Sequence, residues 1–135
     1  MTRPAARPPI HLLDSEADRL SDLAMSIEDR QPEVSALLLS EIERAKIHRP
    51  GKLPAGIVTM LSTVEFVDEG SDTRRTLKLV FPPDADIEAG RISILTLVGA
   101  GLIGLAEGQS ILWPDREHHE RRLRIVRVTR DGELP

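Results

Sequence analysis

Apolar residues recur along this chain at two different periods, and the change of period divides it. Leu13, Ala17, Leu20, Ala24 and Ile27 fall four and three apart, the spacing of a helix seam that packs on one partner. Val34, Leu38, Ile42 and Ala45 repeat that spacing. Between the two runs, Gln31-Pro32-Glu33 breaks the first helix and starts the second, with Pro32 suited to the first helical position. Asp14 or Ser15 is expected to cap the first helix, where the clustered acids Asp14, Glu16 and Asp18 suit the positive end of the helix dipole. His48-Arg49-Pro50-Gly51 is expected to end the second. The pattern predicts an antiparallel helical hairpin over residues 10–48, its arms about 15 residues and roughly 20–25 Å long. A hairpin this thin has too little packing to stand alone, so it must lean on the rest of the chain.

After a linker at residues 49–55, rich in proline and glycine, the period becomes two. Val58, Met60, Ser62, Val64 and Phe66 would share one face of a strand. Asp68-Glu69-Gly70-Ser71-Asp72 reads as a hairpin turn, and Leu77, Leu79 and Phe81 line the returning strand. Pro82-Pro83-Asp84-Ala85-Asp86 makes a rigid corner. Residues 90–113 hold most of the glycines and the longest weakly polar run. Gly90 suits a turn with positive φ, and Ile92 and Ile94 alternate as a strand would. Residues 98–105 are apolar all round, which suits a short buried helix ended by Gly104 or Gly108. Residues 110–113 then form a strand stopped by Pro114, and the whole stretch is too short and too broken by glycine to cross a bilayer. A polar turn follows at residues 114–120. In the last strand Leu123 and Ile125 point one way and Val126 and Val128 the other, a phase shift that predicts a β-bulge. The expected fold class is α+β: a short helical hairpin, then about five antiparallel strands wrapped on one short helix over residues 56–130. Residues 1–9 read as a flexible arm and residues 131–135 as a tail.

Composition narrows the function classes. At 135 residues, the chain fits one compact domain or a small domain with an appendage. Eighteen basic against 22 acidic residues give a net charge of −4, so strong nucleic-acid binding by phosphate neutralisation is not expected. Phe66, Phe81 and Trp113 are the whole aromatic complement, too few for a stacking platform. The absence of cysteine removes disulfides, thiolate chemistry and most structural zinc sites, and fits a cytoplasmic protein. No apolar stretch of a secretory signal stands at the N-terminus, and no membrane association is expected.

Few residues suggest chemistry of their own. Glu28, Asp29 and Glu33 fall at the predicted hairpin tip, where paired carboxylates could present magnesium to another enzyme's active site. Helix capping and solubility account for the same acids, and Arg30 among them would compete with a metal. His118 and His119 adjoin Asp115, Glu117 and Glu120, but neighbouring histidines on a turn point apart, and a solvated turn is the expected reading. His11 and His48 flank the hairpin as surface residues. Arg121, Arg122, Arg124, Arg127 and Arg130 make the last strand basic, while Glu65, Asp68, Glu69, Asp72, Asp84, Asp86 and Glu88 make the first β-hairpin and the corner acidic. Either this polarity serves a charged partner, or the two regions neutralise each other across a sheet. Residues 99–104 match G-x-G-x-x-G without the βαβ context or ribose-binding acid of a dinucleotide site, so these glycines are expected to serve packing. No catalytic residue, metal or cofactor is expected.

Ile92-Ser93-Ile94-Leu95-Thr96-Leu97-Val98-Gly99-Ala100-Gly101-Leu102-Ile103-Gly104, followed by Glu107-Gly108, resembles the hallmark of the C-terminal domain of the GreA/GreB transcription elongation factors. Asp84-Ala85-Asp86 and Gly90 resemble that family's acidic corner. The short hairpin, with Glu43-Arg44-Ala45-Lys46, Leu53-Pro54 and Val58-Thr59-Met60, is more similar to the branch of regulators of nucleoside diphosphate kinase. The resemblance runs from Ile10 to about Val128. It implies an FKBP-like fold and binding to bacterial RNA polymerase near its secondary channel, where this chain would compete with Gre factors. Its docking residues would map to Asp84, Asp86, Thr96, Leu97 and Val98. The hairpin is much shorter than a Gre coiled coil, and the family's cleavage-stimulating acids have no secure counterpart in Glu28 and Asp29. The resemblance therefore implies a non-enzymatic regulator, and its link to nucleoside diphosphate kinase requires no direct contact. The sequence leaves two other functions open, a peptidyl-prolyl isomerase suggested by the FKBP-like fold and a Gre-type cleavage factor using the tip acids. Leu97 stands in place of the family's proline, Gly101 of its alanine and Gln109 of its aspartate. Without the proline the docking loop is expected to be less rigid.

Overall fold

The structure, a computed structural model, describes residues 8–130. Residues 1–7 of the expected arm and the tail at residues 131–135 lie outside the described residues. Strand β1 (His11–Leu13) runs directly into helix α1 (Asp14–Ser26), and helix α2 (Pro32–Arg44) returns to strand β2 (Lys46–His48). The two strands pair in parallel, with His11 opposite Lys46 and Leu13 opposite His48. This corrects the expected helix ends. The backbone is already extended at Ala45, and the Lys46 N–H donates to the Ile10 carbonyl over 2.9 Å, so the chain exchanges helical bonds for a strand partner. Leu13 belongs to β1 and not to the helix seam, and neither Asp14 nor Ser15 caps α1. The Asp14 carboxylate accepts the Ser15 N–H instead.

Each helix has 13 residues, about 20 Å of length. Ala17, Leu20, Ala24 and Ile27 face Val34 and Leu38, all buried as the spacing predicted. The Ser35 hydroxyl donates to the Ala24 carbonyl across this seam over 2.7 Å. Glu41 is 1 % exposed, and its carboxylate receives both Nε (2.9 Å) and Nη2 (2.6 Å) of Arg44. That fork satisfies a charge that would be expensive to bury alone.

Among the described residues, the second part is a five-stranded sheet. It comprises β3 (Thr63–Asp68), β4 (Thr73–Val80), β5 (Arg91–Ser93), β6 (Ser110–Pro114) and β7 (Glu120–Thr129), in the order β5-β4-β3-β7-β6. The sheet is mixed, because β4 and β5 are parallel. The corner accounts for this: two 3₁₀ turns, Pro82–Asp84 and Ile87–Ala89, carry the chain back so that β5 runs the same way as β4. A second correction concerns the first strand. Leu61 takes φ 70°, so β3 starts only at Thr63. Upstream, Val58 pairs with another segment, donating to Leu105 and accepting from Gly104. Val58, Met60, Ser62, Val64 and Phe66 are nevertheless all buried. The predicted bulge is present. Arg127 and Ile125 stand opposite the consecutive residues Glu65 and Phe66, leaving Val126 as the extra residue.

The sheet curls over helix α3 (Leu97–Leu102). Trp113 lies flat on this helix, and a Cβ at Gly101 would stand 2.9 Å from three of its ring atoms. The chain turns away at Gly104 with φ 81°, as expected of the helix end. One apolar core joins Leu20, Ala24 and Leu38 of the hairpin to Ile94, Leu102, Ile103 and Trp113 of the sheet unit. Glu16 adds a polar tie by accepting the Met60 N–H. The hairpin thus lies along the sheet unit.

Candidate docking site

The loop before α3 is braced by its own side chains. The Thr96 hydroxyl accepts the Gly99 N–H over 3.1 Å and donates to the Ser93 carbonyl over 2.8 Å. The Leu95 N–H donates to the Ser93 hydroxyl. Leu97 occupies the first helical position, the place where a proline fits best. Its carbonyl accepts the Trp113 indole N–H over 2.6 Å. These bonds brace the loop where proline would otherwise stiffen it. Gln109 takes a comparable role in the next turn, its side-chain oxygen accepting the Ala106 N–H.

Beside this loop opens a cleft of about 560 Å³. Its apolar lining comes from Ile92, Leu97, Val98, Trp113 and Leu123. Asp86 and Ile87 from the corner form one side, and Ile87 is 56 % exposed. Asp115, Arg116 and Arg121 from the β6–β7 hairpin form the other. Arg121 bridges Asp115 (3.1 Å) and Asp68 (3.7 Å), and Arg91 lies 3.7 Å from Asp86. The Asp115 carboxyl is held below the usual carboxylate range. Desolvation opposes this but is outweighed by the His119 backbone N–H, the Arg121 side chain and the Glu117 backbone N–H. Solvent-facing ion pairs add little stability and can re-pair with an incoming partner. An apolar floor with a rim of both charges suits an amphipathic polypeptide surface.

Of the residues singled out from sequence, Asp86, Thr96, Leu97 and Val98 come together in this cleft. Asp84 does not. It is exposed on the corner, and its carbonyl accepts from Arg91. A second groove of about 660 Å³ separates the hairpin tip from the same loop, with Ile27, Glu33 and Val34 on one side and Leu95, Thr96 and Leu97 on the other. Glu28 and Asp29 are exposed at the tip. Trp113 and Arg121, absent from the sequence-based set, enter the cleft only because the sheet curls over α3 and brings residues of its two edges, β5 and the β6–β7 hairpin, to one opening.

Asp68 meets Arg121, and Glu69 meets Arg122 and Arg124, so the acidic turn and the basic strand neutralise each other as sheet neighbours. The adjacent histidines do point apart: His118 faces Glu33, while His119 faces Asp115 and Glu117. His11 and His48 are not separate surface residues, because Nδ1 of the first lies 2.9 Å from Nε2 of the second. The Phe66 side chain is core, and Phe81 lies under the Arg19 guanidinium, 3.9 Å away. Among the described residues, Trp113 is thus the one aromatic lining the cleft, a poor match to the aromatic pocket that prolyl isomerisation needs.

A helical hairpin leaning on a curled sheet, with a braced loop opening into an amphipathic cleft, is the architecture of a Gre-like transcription factor. Residues 53–130 match the family described as transcription elongation factor GreA/GreB, C-terminal, and the chain belongs to that family. It is 32 % identical over 108 residues to the regulator of nucleoside diphosphate kinase of Escherichia coli (strain K12), covering 80 % of this chain and 79 % of that protein. It is also 33 % identical over 113 residues to transcription elongation factor GreA of Methylobacterium nodulans, covering 78 % of this chain and 72 % of that protein. The solved prokaryotic transcription elongation factor GreA/GreB from Nitrosomonas europaea superposes with a TM-score of 0.69 at 38 % identity, covering 89 % of this chain and 98 % of that one. Among the described residues no helix is long and apolar enough to cross a membrane.

Proposed function

We propose that this protein is a non-enzymatic regulator that docks on bacterial RNA polymerase near the secondary channel, in the cytoplasm, and competes there with Gre factors. The observation that carries the reading is the convergence of Asp86, Thr96, Leu97 and Val98 on one amphipathic cleft. These are four of the five positions to which the family resemblance maps docking. The hairpin supports the absence of cleavage stimulation. Its arms have 13 residues, and the hairpin shares one core with the sheet unit, so Glu28 and Asp29 are not carried outward on a long arm. A link to nucleoside diphosphate kinase would then be indirect, through transcription.

The test is retention of core RNA polymerase by the immobilised protein, repeated with a Gre factor as competitor. Retention that the competitor abolishes is the expected result. Failure to bind at micromolar concentration and low salt would overturn the proposal. Release of short RNA from backtracked complexes would overturn its non-catalytic part.

A further inference from the structure

The turn joining β6 to β7 carries a donor set that the docking reading leaves unused. One oxygen of Asp115 accepts the backbone N–H of Glu117 (2.8 Å) and of His119 (3.0 Å). This fixes the carboxylate and directs its other oxygen, Oδ2, toward the side chains that follow. His119 Nδ1 lies 3.9 Å from that oxygen and 3.6 Å from Glu117 Oε1, and one ligand atom from each of the three residues lies within 4.8 Å of the others. Two donors bound to one tetrahedral zinc ion stand about 3.4 Å apart, given bonds near 2.1 Å. Two of the three edges therefore need to close by only about half an ångström, and the Glu117 and His119 side chains are exposed enough to do so.

We propose that Asp115, Glu117 and His119 bind a divalent zinc ion at the tip of the β6–β7 hairpin, with a further position open to water or to a partner side chain. One imidazole and two carboxylates suit this borderline cation. Magnesium and calcium demand six or more oxygens. The competing account is that the three groups merely pair with one another and with Arg121, whose Nε lies 3.1 Å from Asp115 Oδ2. Exposed pairing of that kind gains little, and Arg121 has a second acid, Asp68, to hold it once Asp115 turns to the metal. Asp115 also lines the docking cleft, and neighbouring His118 reaches Glu33 on the helical hairpin, so the ion would sit where three segments meet. The inference does not depend on polymerase binding.

The test is calorimetric titration of the full chain with zinc alone at neutral pH. One equivalent is expected to bind with micromolar affinity. His119→Ala and Glu117→Gln should each weaken binding about tenfold or more, with the folded state checked by circular dichroism. Arg121→Gln should tighten it several-fold by removing the competitor. His11→Ala should leave it unchanged, because His11 pairs with His48 and is not among the three donors; this variant excludes zinc binding at that histidine pair. No saturation by millimolar zinc, binding that His119→Ala leaves intact, or loss of affinity in Arg121→Gln or His11→Ala would each overturn the site.

Discussion

Gly101 has no side chain because the ring of Trp113 occupies the space that one would need. Two effects of a methyl group here oppose each other. Alanine is the better helix former by about 1 kcal/mol, but the ring is pinned by its bond to the Leu97 carbonyl and cannot slide away. Overpacking of this kind costs about 1–3 kcal/mol. Gly101→Ala is therefore expected to destabilise the protein, read as a lower midpoint in urea. An unchanged or raised midpoint would mean that the ring moves freely. The sequence marks Gly101 only as a packing glycine, because nothing in local spacing says that residue 113 packs on residue 101. The same holds for Leu97. Its place after the family's Ser/Thr position is legible, whereas the hydrogen bonds that brace it join residues brought together by the fold.

At the scale of elements, β1 and β2 form a clasp closing the base of the helical hairpin. His11 and His48 lie across it with ring centroids 5.1 Å apart. Burial, then His48 and Lys46, push the His11 pKa below its ordinary 6.5. In the window below that value the unfolded chain binds more protons than the folded one. The contribution of His11 is thus fully present above pH 6.5 and is lost as pH falls through the depressed folded value. The melting temperature should drop between about pH 7.5 and about pH 5.5, and drop less in His11→Asn. Parallel profiles for the two proteins would show that the pair does not couple to stability. The clasp leaves no periodic signal in the sequence, because a three-residue strand carries too few alternations and β1 and β2 are separated by the whole hairpin. The helices themselves were legible from their seams.

For the whole molecule, the decisive feature is that hairpin and sheet unit share one core, so the tip lies beside the loop that leads into α3. The tip acids are then expected to be dispensable for docking. The double variant Glu28→Ala with Asp29→Ala should bind core polymerase like the wild type, and Asp86→Arg, on the rim of the cleft, should weaken binding at least several-fold. Equal loss in both variants, measured by titration against labelled polymerase, would shift the contact surface to the hairpin. Reverse effects would remove the cleft from it altogether.

The sequence by itself determined the two-part organisation, the helix seams, the bulge in the last strand, the buried glycine-rich helix and the family, because each is written in local spacing or in a contiguous motif. Tertiary structure alone decided the parallel β4–β5 pair, the β1–β2 clasp, the shortened β3 and the charge pairing between Asp68 or Glu69 and β7. It also decided which acids and aromatics share the cleft. These depend on which backbone and side-chain groups meet after the chain has turned, and long-range pairing leaves no periodic trace in the residues that take part.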